Sequence, residues 1–145
     1  MAQANAAVDE TRSFMKSRVI LTAVELDFFT RLDENPCNAS ELARDKQLDV
    51  RATTRVLDCL VAFGLLEKDG GAYKPTEKGS LYSAHHPETI RPMVLHMTHL
   101  WNIWSELTDV VKTGGDSEAG SGLQLDAEDW KSVIGAMHVS GRTLA

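Results

Sequence analysis

The chain is poor in cysteine. Only Cys37 and Cys59 are present, neither in a C-x-x-C pair, which is too few for a disulfide framework or a four-cysteine zinc site. It also lacks any apolar run near the ~20 residues that span a membrane, and its start, MAQANAAVDETR, lacks the basic-then-apolar order of a secretory signal. These absences predict a cytoplasmic protein with reduced thiols and no membrane partner. Positive charge is scarce as well: 15 Lys and Arg against 21 Asp and Glu give a net charge of -6 and a pI near 5.3. Duplex affinity comes largely from neutralising phosphates, so nucleic acid is disfavoured as the principal partner. What remains is 145 residues, 43% apolar and 25% charged, the size and balance of one globular domain.

Phe14, Ile20, Leu21, Val24, Phe28 and Phe29 recur at helical spacing, which predicts one amphipathic helix over residues 10 to 31 with Pro36 in its exit loop. In Asn38-Ala39-Ser40-Glu41 a capping residue precedes a glutamate by three positions, so a short helix follows with Leu42 and Ala43 inward. Asp49 caps a third helix bearing Val56, Leu57, Leu60 and Val61 on one face and Arg51, Thr54, Arg55 and Asp58 on the other, ending near Gly64. The run LLEKDGGAYKPT reads as two short strands around Asp69-Gly70-Gly71, and Thr76 caps a brief helix. Helix, short helix, capped helix and hairpin is the winged-helix order.

After His85-His86-Pro87, the residues Ile90, Val94, Met97, Trp101, Trp104, Leu107 and Val111 predict one long helix over 88 to 112. So long a stripe exceeds what a small winged helix can bury, which predicts packing on the N-terminal helix and on a second copy in a homodimer. GGDSEAGSG reads as a flexible loop, and a last helix starts near Asp126. The expected fold is therefore mainly α: a winged-helix domain with a small β-hairpin wing plus long N- and C-terminal dimerisation helices. Its expected divisions are an N-terminal helix over 1–37, the winged helix over 38–84 and long helices over 85–145.

Several features carry competing meanings. Arg51, Thr54 and Arg55, with Lys68 and Lys74 on the hairpin, lie where a winged-helix regulator contacts DNA. From Asn38 to Ser83, however, seven Lys and Arg face seven Asp and Glu, so that unit has no basic footprint and a solvated face is the favoured reading. His96 and His99 stand one turn apart, but no third ligand at metal-binding spacing accompanies them, and pocket lining or half-exposed histidine is expected. The glycines from Gly114 to Gly122 follow a helix and match no phosphate-binding fingerprint, and no G-x-S-x-G elbow occurs. Met93, Met97, Trp101, Trp104 and Met137 read either as plain core or as the wall of an apolar ligand pocket. Cys59, beside the apolar stripe of the third helix, is expected as a small buried hydrophobe.

The series AVELDFFTRL, then NASELARDKQLDVRATTRVLDCLVAFGLLEKDGGAYKPTEKGSLY, then WSELTDVVKTGG and IGAMHVSGRTLA resembles the N-terminal dimerisation domain of S-adenosylmethionine-dependent small-molecule O-methyltransferases, of the plant caffeate and bacterial polyketide type. Residues 15 to 145 are covered. The resemblance implies a dimerisation and acceptor-pocket domain of an enzyme that methylates an aromatic or polyketide-like small molecule. Met93, His96, Met97 and Leu100 match the helix lining the acceptor pocket, Met137 the methionine that packs on the acceptor, and Ser140 the serine near the cofactor. The polar residue that some members use on that helix is Leu95 here. Family members continue into a Rossmann-like domain holding the cofactor and the catalytic base, which these 145 residues do not include. The expectation is thus S-adenosylmethionine for the parent enzyme, none bound to this chain alone, no catalytic residue and no metal. A winged-helix transcriptional regulator is the alternative, and a ligand-binding protein without catalysis is compatible with the preferred reading.

Overall fold

The computed structural model describes residues 1–114, 133–135 and 137. Its elements are α1 (Ala2–Glu25), α2 (Phe28–Glu34), α3 (Ala39–Lys46), α4 (Val50–Ala62), β1 (Leu66–Asp69), β2 (Ala72–Pro75), α5 (Glu77–Ser80), α6 (Arg91–Ser105) and α7 (Leu107–Thr113). The fold is mainly helical with one two-stranded antiparallel sheet, as expected. Residues 133–135 and 137 are helical, and the rest of the helix expected from Asp126 lies outside the described residues.

The local signals act as read. Asn38 Oδ1 accepts from Glu41 N–H at 2.9 Å while Glu41 Oε2 accepts from Asn38 N–H at 3.0 Å, a reciprocal box that starts α3. Asp49 Oδ1 caps α4 through Ala52 N–H at 2.7 Å. Strand register pairs Asp69 with Ala72 across Gly70 and Gly71, whose φ values of 54° and 88° are those a two-residue hairpin turn needs.

Two helices end earlier than periodicity predicts, although α1 also starts eight residues sooner than expected. The helix expected over 10–31 breaks at Leu26-Asp27, where Asp27 adopts φ 57°, and α2 starts afresh. The break redirects the chain so that Phe28, Phe29 and Leu32 enter the core beside Val24. Apolar spacing of three and four persists through such a turn, so periodicity alone cannot detect it. The helix expected over 88–112 likewise divides at Glu106, whose N–H bonds back to Ile103 O at 3.2 Å. Ser105 Oγ donates to Trp101 O at 2.7 Å, a back-bond that bends helices, and no residue of α7 is buried to hold the axes in line.

The core gathers Phe28, Phe29, Leu32, Leu42, Leu57, Leu60, Leu65 and Tyr73, with α2 packed on β2 and α3 on α4. Cys59 corrects the sequence reading. It is exposed, because Leu57 and Leu60 occupy the inward face of α4 and residue 59 points away, whereas Cys37 is the buried thiol. Burial pushes the Cys37 thiol above its ordinary value.

Tyr73 ties the wing to α4. Its hydroxyl donates to Asp58 Oδ1 at 2.7 Å, and Lys68 Nζ donates to the same oxygen at 3.0 Å. The Tyr73 hydrogen bond, then that of Lys68, holds the Asp58 carboxyl below its ordinary value. A carboxyl depressed by folding stabilises the fold above its unfolded value near 3.8 and loses that contribution as pH falls through the lower folded value. Asp58→Asn is therefore expected to lower the urea midpoint at pH 7, with the gap to the unaltered protein closing as pH falls below about 4. A gap constant from pH 7 to pH 3 would remove the charge-assisted role of Asp58.

Candidate functional site

A groove of about 480 Å³ runs between α1 and α6, with the turn after α5 also contributing to its lining. Phe14, Ser17, Ile20 and Leu21 line it from α1, Tyr82 from the turn, and Val94, Met97, Leu100, Trp101 and Trp104 from α6. Sites for small molecules are typically concave and mostly apolar with a few polar groups, in the range of about 300–1,000 Å³. Four of the ten lining residues carry aromatic rings, and the only polar side-chain atoms are the hydroxyls of Ser17 and Tyr82 and the indole N–H groups.

Several contacts hold these walls. The rings of Phe14 and Trp101 are tilted with centroids 6.3 Å apart, and the Arg18 guanidinium sits 5.7 Å from the Trp101 ring while bonding Glu25 at 2.7 Å. The Tyr82 ring stacks on buried Phe29 with centroids 4.9 Å apart. Burial raises the Tyr82 phenol above its ordinary value, so the hydroxyl keeps its proton at neutral pH.

The start of α6 is pinned to the same frame. Ile90 N–H donates to Leu81 O at 2.9 Å, Ser83 Oγ to Asp33 Oδ2 at 2.7 Å, and Ala84 N–H to Thr30 Oγ1 at 3.0 Å. Asp27 stands 3.3 Å from Arg91 Nε and 3.6 Å from Lys46 Nζ, so the break between α1 and α2 also anchors α3 and α6. His85 Nε2 lies 2.7 Å from Glu34 Oε1.

Of the residues expected at the site, Met97 and Leu100 line this groove. Met93 and His96 are half-buried on α6 and are not among the lining residues. The His96 and His99 rings stack with centroids 6.5 Å apart, and among the described residues no three His, Cys, Asp or Glu side chains gather as a metal site. Met137 is helical, 66% exposed and not among the lining residues, whereas Trp104 lines the groove and is 67% exposed. Ser140 lies outside the described residues.

The sequence by itself does not mark Phe14, Ser17 and Tyr82 as site residues. Phe14, Ser17 and Leu21 share one face of α1 by spacing, which could have marked them, but only the packing of α1 on α6 brings that face opposite Met97 and Trp101. The DNA-contact candidates are dispersed: Arg51 and Arg55 are exposed, while Lys68 and Lys74 are engaged by Asp58 at 3.0 Å and Glu67 at 3.2 Å. Among the described residues no helix is long and apolar enough to cross a membrane.

Comparison with known proteins shows the family and the fold. A sequence profile of the O-methyltransferase dimerisation domain matches residues 8–85, and the chain belongs to that family. It is 34% identical over 137 residues to the tetracenomycin polyketide synthesis 8-O-methyl transferase TcmO of Streptomyces glaucescens, covering 88% of this chain and 40% of TcmO. It is 29% identical over 126 residues to the N,N-dimethyltransferase OxyT of Streptomyces rimosus, covering 86% of this chain and 36% of OxyT. The chain thus spans well under half the length of these relatives. An O-methyltransferase family protein from Burkholderia thailandensis superimposes with a TM-score of 0.80 over 97% of this chain and 43% of its own, at 19% identity, a likeness of fold.

The relative PigF of Serratia is an S-adenosyl-L-methionine-dependent methyl transferase, and the described residues of this chain do not fit that cofactor. Their only sheet is an antiparallel hairpin whose Gly70-Gly71 turn leads into β2 and not into a helix, so no strand-loop-helix cradle for the cofactor is present among them.

Proposed function

We propose that this chain supplies the dimerisation and acceptor-pocket domain of an S-adenosylmethionine-dependent methyltransferase acting on an aromatic or polyketide-like small molecule. The observation that carries the reading is the groove of about 480 Å³ walled by Phe14, Tyr82, Trp101 and Trp104, with Met97 and Leu100 between them. Flat rings pack on such walls by offset stacking, and methionine adapts its shape to what it touches. The groove would bind and orient the acceptor and keep water from it, which is the positioning share of a methyl transfer. Cofactor binding and proton removal would belong to parts of the parent enzyme beyond these elements. Met93, His96, Met137 and Ser140 stay in the proposal as residues that would approach the acceptor or cofactor once those parts are in place.

The reading is tested on the chain itself. Titration with 1,8-dihydroxyanthraquinone is expected to quench tryptophan fluorescence saturably, and Met97→Asp, which puts a charge on the apolar wall, is expected to weaken binding at least about tenfold. Equal affinity in both proteins would place the ligand elsewhere and sink the acceptor reading.

Homodimer formation is the second part of the proposal. Ile103, Leu107 and Val111 repeat every four residues across α6 and α7 and are all exposed, and Val8 and Met15 are exposed on α1. Exposed apolar stripes of this kind usually mark interfaces.

The regulator reading is disfavoured by charge. With the two wing lysines engaged by carboxylates and the 38–83 unit neutral, no sequence-dependent gel shift is expected at 150 mM salt (a test condition of roughly physiological screening). A nanomolar, sequence-dependent shift would reverse that ranking.

A further inference from the structure

We propose that the hydroxyl of Tyr82 selects the ligand of the α1–α6 groove, favouring flat aromatic molecules that carry an oxygen substituent, with Ser17 as the second polar contact. The inference rests on the acceptor reading and deepens it. Phe14, Trp101 and Trp104 offer rings, which grip any flat apolar molecule of suitable size and so distinguish poorly among them. Discrimination needs a polar atom that is left unsatisfied by the wrong ligand.

Tyr82 has that character. Its ring is held against buried Phe29 at 4.9 Å, and its N–H bonds Gly79 O at 3.1 Å, so the phenol is fixed in place. Among the described residues neither its hydroxyl nor that of Ser17 forms a hydrogen bond to the protein, although both residues line the groove. A ligand phenol or ring carbonyl beside Tyr82 would exchange its lost water contact for a hydrogen bond in apolar surroundings, whereas a methyl group there would leave the hydroxyl unpaired.

The test compares 1-naphthol with 1-methylnaphthalene, similar in shape and different in hydrogen bonding, by equilibrium dialysis against the full chain. Tyr82→Phe keeps the stacked ring and is expected to weaken 1-naphthol binding about tenfold while leaving 1-methylnaphthalene within about twofold. Met97→Asp is expected to weaken both, which places them in this groove. An unchanged 1-naphthol affinity in Tyr82→Phe, or equal losses for both ligands, overturns the role of Tyr82 while the groove remains a binding site. Absence of binding by either ligand to the unaltered chain, up to its solubility, overturns the acceptor reading together with this one. A melting temperature of Tyr82→Phe within about 2 °C of the unaltered chain confirms that the comparison reads binding and not folding.

Discussion

Replacing Gly79 by alanine is expected to destabilise the fold by about 3 kcal/mol or more, one of the largest effects available to a single methyl group here. A Cβ built at this buried glycine overlaps the carbonyl oxygen of Leu65 and comes within 2.9 Å of its carbonyl carbon. Neither partner can retreat cheaply. Leu65 is buried, its N–H bonds Leu60 O at 2.9 Å, and its carbonyl accepts Thr76 N–H at 3.1 Å. On the other side, Gly79 N–H is held by Thr76 Oγ1 at 3.0 Å, and that hydroxyl donates to Gly64 O at 2.8 Å. Relief would require breaking the cap of α5 and loosening the joint between α4 and the wing. For a chain of this size the loss corresponds to a fall of about 10 °C in the midpoint of thermal unfolding, readable by circular dichroism. Ser80→Ala, one residue on, serves as the control for local helix effects. A midpoint within about 2 °C of the unaltered chain would mean that α5 can shift without cost, and the close approach would not be a constraint.

The paired variant Leu107→Asp and Val111→Asp is expected to turn a dimer into a monomer. Both side chains are exposed in the single chain, Val111 at 75%, and with Ile103 they form a stripe that no described residue covers. In a two-fold dimer each position is used twice, so four apolar side chains leave an interface when two are replaced. At roughly 1.5 kcal/mol or more per buried side chain, the loss is about 6 kcal/mol, which raises the dissociation constant by at least about 10⁴-fold. Because α7 has no buried residue, the substitutions should leave the fold of the chain intact. Sedimentation at micromolar concentration reads the outcome. A monomer before substitution, or a dimer after it, removes this surface as the interface.

The two predictions differ in how far the sequence could have reached them. Nothing in the run EKGSLYS distinguishes Gly79 from an ordinary poor helix former, since its role depends on the carbonyl of a residue fourteen positions earlier. Leu107 and Val111 were legible, because they belong to an apolar stripe longer than a small domain can cover, even though the helix expected to carry it breaks at Glu106, whereas Ile103 lies outside that spacing and only the structure shows it exposed. At the break Ser105 bonds Trp101 O, a choice among side-chain rotamers that spacing does not encode.

Local chemistry determined what the sequence settled by itself: the Asn38 and Glu41 box, the Asp49 cap, the Asp69-Gly70-Gly71 turn and hence the order of elements, each satisfied within four residues. Tertiary structure alone decided the rest. It turned the chain at Asp27 so that Phe28 and Phe29 fill the core, sent Cys59 outward and Cys37 inward, and set the Phe14 face of α1 against Trp101 of α6 with Tyr82 also lining the groove. Helical periodicity marks the apolar faces an element offers, but which two faces meet, and how much space stays open between them, is fixed by packing of segments distant in the chain.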